Sequence, residues 1–440
     1  MSPSDSAFNR REFLAAAAMA GYAITDTPVP APAAKVGPPD SANTARSLAD
    51  NVYTRLLGVR PHLGAHEHIS RLGGGRMSRE VLDAMSEANE FFIDMRELNA
   101  AAGKRAAELL GAESALITAG GFSGLILGAA ACLTGTDEAK VTALPHPTWE
   151  RRECLIQTAQ MFDYDRAYRT AGATIVYADT RADLEAQLGS RTALVAILSQ
   201  ADRQGVFAPP FEASRAPKPD PRLVPHEELI ALAKRAGVPV LVDMASDLPP
   251  WSQLARFQKA GADLLVLSGG KVIGGPQSSG ILLGRRDLID AARLHSTPND
   301  NLGRGMKVGK EEIVGLIVAL ERYAKTDHVA DMDRWNARAR RIVDRLQGIR
   351  GLTAKYALNT AGYGDADLTW DEKDIALNRE SLRKELVSGS PRVELEVIMT
   401  QDRGTTTWHA TARTRVLRDG EELLLAKRLR EVFSGAKAAG

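Results

Sequence analysis

The sequence predicts an α/β protein with a mostly parallel, seven-stranded sheet and a smaller C-terminal α+β domain. Short apolar runs alternate with helix-period segments from about residue 50 to 325, and such alternation favours parallel strands joined by helices. The predicted strands are the six apolar runs 115–118, 173–177, 193–198, 238–242, 263–267 and 280–283, with a further candidate near 140–144.

Composition divides the remaining chain. Residues 1–34 read as a signal peptide and 35–49 as a Pro- and Ala-rich linker, followed by a large domain over 50–330 and a small one over 331–440. The proline-rich stretch 204–225 is expected to form a surface excursion. Predicted helices are 125–133, 251–260, 311–325, 334–347 and 421–433, and the small domain is expected to add strands at 391–400 and 405–417.

The overall charge excludes one class of partner. The chain has 440 residues, of which 44% are hydrophobic and 25% charged, an ordinary globular composition. Lys and Arg total 56 against 55 for Asp and Glu, so the basic footprint of a nucleic-acid-binding protein is missing. We therefore expect a small-molecule substrate and no nucleic acid. The apolar stretch near the amino terminus is too short for a stable membrane span, and no other stretch qualifies as one.

Lys271 is the first candidate catalytic residue. It follows the apolar run 263–267 and a Ser-Gly-Gly turn, which places it at the carboxyl edge of the predicted sheet, where α/β proteins bind ligands. Lysine forms a Schiff base with an aldehyde cofactor. The segment thus proposes pyridoxal 5′-phosphate (PLP), although a surface lysine at a helix start would have the same local sequence.

Asp243 strengthens the PLP interpretation. It ends the apolar run 238–242 and precedes Lys271 by 28 residues, the length of one βαβ unit whose strand ends lie side by side. A carboxylate facing the pyridine nitrogen keeps the PLP ring protonated, so that the ring accepts electrons. The alternative is that Asp243 caps a helix.

A glycine-rich turn supplies a candidate phosphate site. Residues 119–124 lie between the strand 115–118 and an apolar helix, and a helix N-terminus directs N–H groups and a positive dipole end towards a phosphate. The predicted cofactor contacts, besides Asp243 and Lys271, are Gly120, Gly121, Phe122, Ser123, Gln200 and Ser268.

With these residues in place, the chain resembles the selenocysteine synthase-like branch of fold-type I PLP enzymes. That branch includes L-seryl-tRNA selenium transferase and D-glucosaminate-6-phosphate ammonia-lyase. The resemblance covers roughly residues 50–435 and is closer to the ammonia-lyase-like members. It is carried by the segments 74–81, 92–98, 110–115, 164–173, 268–280, 304–312 and 388–391.

Two regions depart from the family pattern. His66-Glu67-His68 lies where relatives carry an Asn-Ala-Gly-Gly-like stretch, and residues 159–163 replace a His-Arg pair. The first could be a His-x-His metal site, but no third ligand is evident, so a polar active-site or interface loop is favoured and no metal is predicted. The ring-stacking residue stays open among Phe162, Trp149 and His146.

The resemblance implies a lyase of the ammonia-lyase type. Lys271 would take the Cα proton, and loss of a β-hydroxyl would give an oxo acid and ammonia. Arg304 and His66 are the predicted substrate contacts, with Arg403 a weaker candidate for a substrate carboxylate. Racemisation, transamination and aldol cleavage use the same first steps and stay open, as do selenium transfer and a non-catalytic PLP-binding protein. The family also implies a homodimer or higher homo-oligomer.

The amino terminus predicts export. Arg10-Arg11 precede Phe13-Leu14 and a mild apolar stretch, a pattern typical of a twin-arginine (Tat) signal, with small residues at 31–33 offering a cleavage site. We therefore expect a periplasmic or extracellular protein that uses the Tat machinery, with a cytoplasmic protein as the alternative.

Overall fold

A seven-stranded sheet organises the larger part of the chain in the computed structural model, which describes residues 48–204, 219–248, 251–359, 361–402 and 405–436. Its strand order is β2-β8-β7-β6-β5-β3-β4, and every neighbouring pair is parallel except those that involve β8. The strands are β2 (Ser114–Thr118), β3 (Glu153–Gln157), β4 (Thr174–Ala178), β5 (Thr192–Leu198), β6 (Val240–Asp243), β7 (Leu264–Ser268) and β8 (Gly280–Gly284). The predicted fold class is confirmed.

Helices cover both faces of this sheet, and several begin at a side-chain cap. Asp94 caps α3 by accepting from the N–H groups of Arg96 and Glu97, and Asp327 caps α13 in the same way. The helices of the described residues are α1 (Val52–Leu57), α2 (Arg79–Asn89), α3 (Met95–Leu110), α4 (Gly120–Thr134), α5 (Glu138–Ala143), α6 (Arg166–Thr170), α7 (Arg181–Gln187), α8 (Ala201–Gln204), α9 (His226–Arg235), α10 (Ser252–Ala260), α11 (Arg286–His295), α12 (Lys310–Lys325), α13 (His328–Leu346), α14 (Arg379–Ser388) and α15 (Glu421–Gly435).

The seventh strand of the sheet is not the one expected. The candidate at 140–144 is wrong: this stretch falls largely in α5, because Asp137 accepts from the N–H groups of Ala139 and Lys140 and starts a helix there. The seventh strand is β3 instead. It escaped notice because only three apolar residues, Cys154 to Ile156, separate its polar ends.

The sheet is buried on both faces, as its continuous apolar strands predict. Side chains alternate between two apolar clusters: Val240 and Val242 pack in one, whereas Leu241 packs in the other with α4 and α11. Helix α4 lies almost wholly buried against this second face. The carboxyl ends of β5, β6 and β7 therefore meet at one edge with a rigid layer on either side.

A second sheet contains five strands in the order β1-β11-β12-β10-β9. The strands are β1 (Leu63–Ala65), β9 (Leu352–Leu358), β10 (Gly364–Asp371), β11 (Val393–Asp402) and β12 (Thr405–Ala412). Strands were expected at 391–400 and 405–417, whereas β9, β10 and β1 were not. The short β1 runs parallel to β11, so the segment around residue 65 is anchored to the C-terminal part of the chain.

Among the described residues, no helix is both long and apolar enough to cross a membrane. The predicted signal (1–34) and all but the last two residues of the predicted linker (35–49) lie before residue 48, outside the described residues. Most of the predicted proline-rich excursion falls in 205–218, which is also outside them.

Candidate active site

Asp243 and Lys271 lie at the same edge of the large sheet. Strands β6 and β7 are parallel neighbours, with Asp243 paired to Val266, and Lys271 follows the end of β7 by three residues. The Lys271 amine donates a hydrogen bond to the hydroxyl of Ser246, which lies three residues after Asp243. The βαβ spacing thus brings together the two residues that the sequence singled out. Ser246 was not anticipated.

Burial shifts both groups towards their uncharged forms. It raises the pKa of Asp243, and this effect is partly offset by the Ala245 N–H, which donates to Oδ1 at 2.9 Å, and by the charge of Lys271. Burial likewise lowers the pKa of Lys271, against the opposing effect of Asp243. Amines whose pKa is lowered in this way are able to act as bases at neutral pH.

The glycine-rich turn starts α4 directly, since Gly120 is the first helical residue and adopts a positive φ of 84°. A Cβ on Gly121 would lie 3.0 Å from the Cβ of Ala245, so the turn packs against the segment that follows Asp243. The Ser123 hydroxyl donates to the Ala119 carbonyl at 2.9 Å. The N–H groups of the first turn of α4 are therefore the available phosphate donors.

A small cavity beside Asp243 is lined by the aromatic side chains of Phe162, Tyr164 and Tyr168. The Oδ2 atom of Asp243 has no hydrogen-bond partner among the described residues, and a pyridinium N–H is a chemically suitable donor for it. Phe162 and Tyr164 make an edge-to-face contact at 5.1 Å. Phe162 is thus the ring-stacking candidate that shares a cavity with Asp243.

The other two ring candidates lie elsewhere. Trp149 and His146 both precede β3, so they lie towards the amino end of the strand, whereas Phe162 follows its carboxyl end. His146 is exposed. Gln200 and Ser268 occupy the ends of β5 and β7 at the cofactor edge, and their assignment as cofactor contacts stays a prediction.

The His66-Glu67-His68 segment follows β1. The Nδ1–H of His66 donates to the Glu67 carbonyl at 2.6 Å, which leaves its Nε2 to accept from the Nε2–H of His62 at 2.9 Å. Burial is the main cause that lowers the pKa of His62 to about 4 and also lowers that of His66. Both ring nitrogens of His66 are therefore engaged within its own segment, and its role in substrate binding stays a prediction.

Glu67 forms the centre of a charged cluster that the sequence did not reveal. Its carboxylate accepts from Arg415, from Arg413 at 3.3 Å and from the Tyr363 hydroxyl at 2.7 Å. These guanidinium groups hold the pKa of Glu67 well below its usual range despite its burial. We call Glu67, Arg413, Arg415 and Tyr363 the Glu67 cluster. The available signal was an Arg-x-Arg pair directly after β12.

Arg304, which was predicted to contact the substrate, does not join this group. Arg304 is exposed, and its guanidinium pairs with Asp300 at 3.0 Å, which is the surface ion pair considered as the alternative. Arg403 lies outside the described residues. Within the part of the chain that the structure describes, no group of three or more His, Cys, Asp or Glu side chains could hold a metal ion.

The arrangement fits PLP. Lys271 provides the amine for the aldehyde, Asp243 presents a buried carboxylate with an open Oδ2, and the first turn of α4 offers N–H groups for the phosphate. Close packing fixes these elements relative to one another: a Cβ on Gly280 would lie 2.5 Å from the carbonyl carbon of Gly120, which only glycine permits.

Comparisons with known proteins agree with this geometry. Residues 221–336 match the family described as L-seryl-tRNA selenium transferase. The chain is 32% identical over 349 residues to 5′-C-glycyluridine monooxygenase-decarboxylase from a Streptomyces species, covering 77% of this chain and 82% of that protein. It is 24% identical over 402 residues to D-glucosaminate-6-phosphate ammonia lyase of Salmonella typhimurium, covering 88% of this chain and 100% of that protein.

Solved structures share the fold. A structure of D-glucosaminate-6-phosphate ammonia-lyase superposes with a TM-score of 0.70 at 24% identity, over 88% of this chain and 99% of the other. Serine palmitoyltransferase from Sphingomonas wittichii gives 0.51 at 14% identity, over 84% and 86% of the two chains.

Proposed function

This chain belongs to the family of fold-type I PLP enzymes that includes the two relatives above, and we propose that it catalyses α,β-elimination on an amino acid or amino sugar acid. Membership confirms the predicted cofactor, PLP, and an enzyme of the lyase type. The substrate and the bond that breaks are the proposal. The observation that carries it is that Lys271 and Asp243 lie at one sheet edge, in a chain that matches the whole length of an ammonia lyase over 88% of its own residues.

The residues of the site divide the work. Lys271 and Asp243 would hold the two ends of PLP, and the first turn of α4 would bind its phosphate. When bound, PLP supplies an electron sink for the charge that develops at the substrate Cα. Lys271, whose pKa is lowered by burial, takes the proton from Cα. Asp243 stays charged when it faces the pyridinium N–H, because an adjacent cation favours the carboxylate.

The reaction balances without a further reactant. The Cα–H bond breaks and its proton passes to the Lys271 amine. The Cβ–O bond breaks with its electron pair on oxygen, and the protonated Lys271 amine returns the proton to that oxygen, so that water leaves and the amine is regenerated. Hydrolysis of the resulting enamine consumes one water and releases ammonia and the oxo acid. A β-hydroxy amino acid is therefore converted into its 2-oxo acid and ammonia.

The test is a substrate screen of the purified holoenzyme with D- and L-amino acids and amino sugar acids. Ammonia and oxo acid in equal amounts from a β-hydroxylated substrate support elimination. Change of chirality without ammonia would assign a racemase instead. A protein with no visible cofactor band and no borohydride-trapped adduct at Lys271 would contradict the whole assignment.

A second candidate is decarboxylation coupled to monooxygenation. It is favoured by the 32% identity to the enzyme that carries out this reaction on 5′-C-glycyluridine. Such a reaction consumes dioxygen and releases carbon dioxide from the substrate carboxylate, whereas elimination does neither. Oxygen-electrode traces on the same substrate panel separate the two reactions. Dioxygen uptake that requires both the substrate and Lys271 would contradict elimination and support decarboxylation coupled to monooxygenation.

A homodimer is proposed on the same family grounds. Phe91, Phe92 and Ile93 lie exposed between α2 and α3, and Phe92 is fully solvent-accessible. Exposed apolar groups of this kind mark interaction surfaces. Light scattering should give twice the chain mass, and Phe92→Asp should shift the protein towards monomer. A monomeric wild-type protein contradicts the proposal.

Export through the Tat pathway is proposed from the sequence alone. Fusing residues 1–49 to a reporter that is active only after export tests it, with Arg10→Lys and Arg11→Lys as the paired change. Reporter activity should disappear in the double variant. Activity that is absent from the wild-type fusion would favour a cytoplasmic protein.

A further inference from the structure

His68 lies between the catalytic lysine and the Glu67 cluster. Gly75 is the point of contact, because a Cβ there would lie 3.2 Å from Cδ2 of His68 and 3.0 Å from the carbonyl oxygens of both Gly270 and Lys271. The Gly75 N–H also donates to the Gly270 carbonyl at 3.0 Å. Gly75 therefore separates the ring of His68 from the backbone that carries Lys271, and the charge of Lys271 acts on the ring.

The two edges of the His68 ring face different surroundings. Nδ1 points to Glu67, 3.7 Å from Oε2, which is longer than a hydrogen bond. The opposite edge carries Cδ2 and Nε2, and Cδ2 is the atom next to Gly75. Only 9% of the side chain is exposed, and neither Nδ1 nor Nε2 has a hydrogen-bond partner among the described residues. An imidazole this buried needs a partner that the described part of the chain does not supply.

The charges around His68 set its proton arrangement. Glu67 is a carboxylate, fixed in place by Arg415, Arg413 and Tyr363. Its negative charge favours a proton on Nδ1, so Nε2 carries a lone pair. Burial lowers the pKa of His68 to about 4, with Arg415 and Lys271 adding to the effect, and the ring is neutral at pH 7. Nε2 is then a hydrogen-bond acceptor on the ring edge towards Gly75, which borders the Lys271 loop.

We propose that His68 is a specificity-determining residue whose Nε2 accepts a hydrogen bond from a hydroxyl group on the substrate side chain. The proposal rests on the proposed function for the location of the substrate Cα at Lys271, and it names the substrate class as hydroxylated amino acids. Arg415, whose charge acts on His68, is already paired with Glu67, as is Arg413, so a neutral donor matches the surroundings better than a second carboxylate. Recognition by a buried acceptor discriminates strongly against analogues that lack the donor.

The experiment compares ligands that differ by one hydroxyl. Both enantiomers of serine and alanine, and of threonine and 2-aminobutyrate, are titrated into the holoenzyme, and the initial change of the cofactor absorbance gives each dissociation constant. The wild type should bind a hydroxylated member about five- to tenfold more tightly than its partner, the ratio expected from one hydrogen bond.

Two amide substitutions then locate the acceptor. His68→Gln extends a polar atom to the position of Nε2 and should keep most of the preference, whereas His68→Asn reaches only to the position of Nδ1 and should bring the ratio close to one. Binding of the ligand without the hydroxyl should change little in either variant. His62→Asn is the matched control, because His62 is engaged with His66, and it should keep the wild-type ratio.

The outcomes separate this inference from the proposed function. A wild type that prefers no hydroxylated ligand, or a His68→Asn variant that keeps the wild-type ratio, overturns the role of His68. The role of His68 is also overturned if His68→Asn keeps the hydroxyl preference while His68→Gln loses it. Elimination could be absent while the hydroxyl preference persists, in which case the reaction assignment alone fails. The absorbance band of each variant reports that it has folded and bound PLP.

Discussion

Asp243 and Lys271 at the edge of the large sheet lie close to the Glu67 cluster, but the pKa shifts in the two places have opposite effects on charge. At the sheet edge, burial raises the pKa of Asp243 and lowers that of Lys271, so both groups move towards neutrality. In the Glu67 cluster, the pKa of Glu67 is depressed and that of Arg415 is raised, so each charge is held by its partner. Asp243 and Lys271 are therefore available for proton transfer and cofactor binding, whereas the Glu67 cluster fixes the position of its own side chains.

Lys271→Ala should have the largest effect. It removes the cofactor attachment and the Cα base together, so we expect activity to fall about 10³-fold or more. The absorbance of the Lys271-bound cofactor should disappear, while the unfolding temperature of the cofactor-free protein stays near the wild-type value. Lys307→Ala, which removes an exposed lysine side chain, is the control. Near-normal turnover by Lys271→Ala would assign the chemistry to another residue.

Asp243→Asn should lower activity by about 10²- to 10³-fold without preventing cofactor binding, because the amide cannot hold the pyridinium proton by charge. Steady-state rates and the cofactor content of the purified variant measure the two effects. Asp263→Asn is the comparison variant: Asp263 precedes β7 and accepts from the Val240 N–H at 2.8 Å, which an amide oxygen can also do. Equal rate losses in the two variants would remove the distinction between Asp243 and an ordinary structural carboxylate.

Glu67→Gln should act on stability. It leaves Arg415 and Arg413 facing a neutral amide, and breaking a buried pair in this way costs about 3 kcal/mol of unfolding free energy. Because the folded pKa of Glu67 is depressed, this stabilisation is present above the unfolded value near 4.5 and is lost as the pH falls below it. Denaturation curves of both proteins at pH 7 and pH 4 should therefore differ most at pH 7. A constant difference would argue against the ion pair as its cause.

Asp365→Asn should change the free energy of unfolding least, and it should stabilise the protein, whereas Glu67→Gln destabilises it. Burial raises the pKa of Asp365 to about 7, and its Oδ1 has no partner. The folded protein then holds a proton that the unfolded chain has released, so wild-type stability falls as the pH rises from about 4 to 7. The amide removes this dependence, and the variant should gain about 1–2 kcal/mol relative to wild type across that range. A difference that is independent of pH would contradict the raised pKa.

The large sheet and its edge were largely predictable because their signals are local. Asp243 and Lys271 each follow a continuous apolar run, and their spacing specifies one crossover between neighbouring strands. The strand β3 was missed for a related reason: its three apolar residues are too few for a periodic signal, and its position is fixed by pairing with β4 and β5. The candidate at 140–144 had an apolar run but also a helix cap at Asp137, which decided its structure.

The Glu67 cluster could not be predicted, because its members are far apart in sequence. Glu67 is 348 residues from Arg415 along the chain. They meet because β1 pairs with β11, and β11 with β12, which delivers the loop after β12 to the segment after β1. Strand pairing across such a separation depends on side-chain burial in the second sheet and leaves no periodic trace in either segment. Arg304 also looked suitable in sequence, although its structural partner is Asp300, only four residues away.

The sequence by itself determined the fold class and the position of Lys271 and Asp243 at the ends of neighbouring strands, since each depends on patterns within about thirty residues. Tertiary structure alone decided which histidine lies against Gly75, next to the Lys271 loop, and which arginines are already paired with a carboxylate. His66 and His68 are two residues apart and chemically identical, yet one is engaged with His62 and the other lies against Gly75. The direction of a side chain is set by the elements packed around it, and here those elements come from opposite ends of the chain.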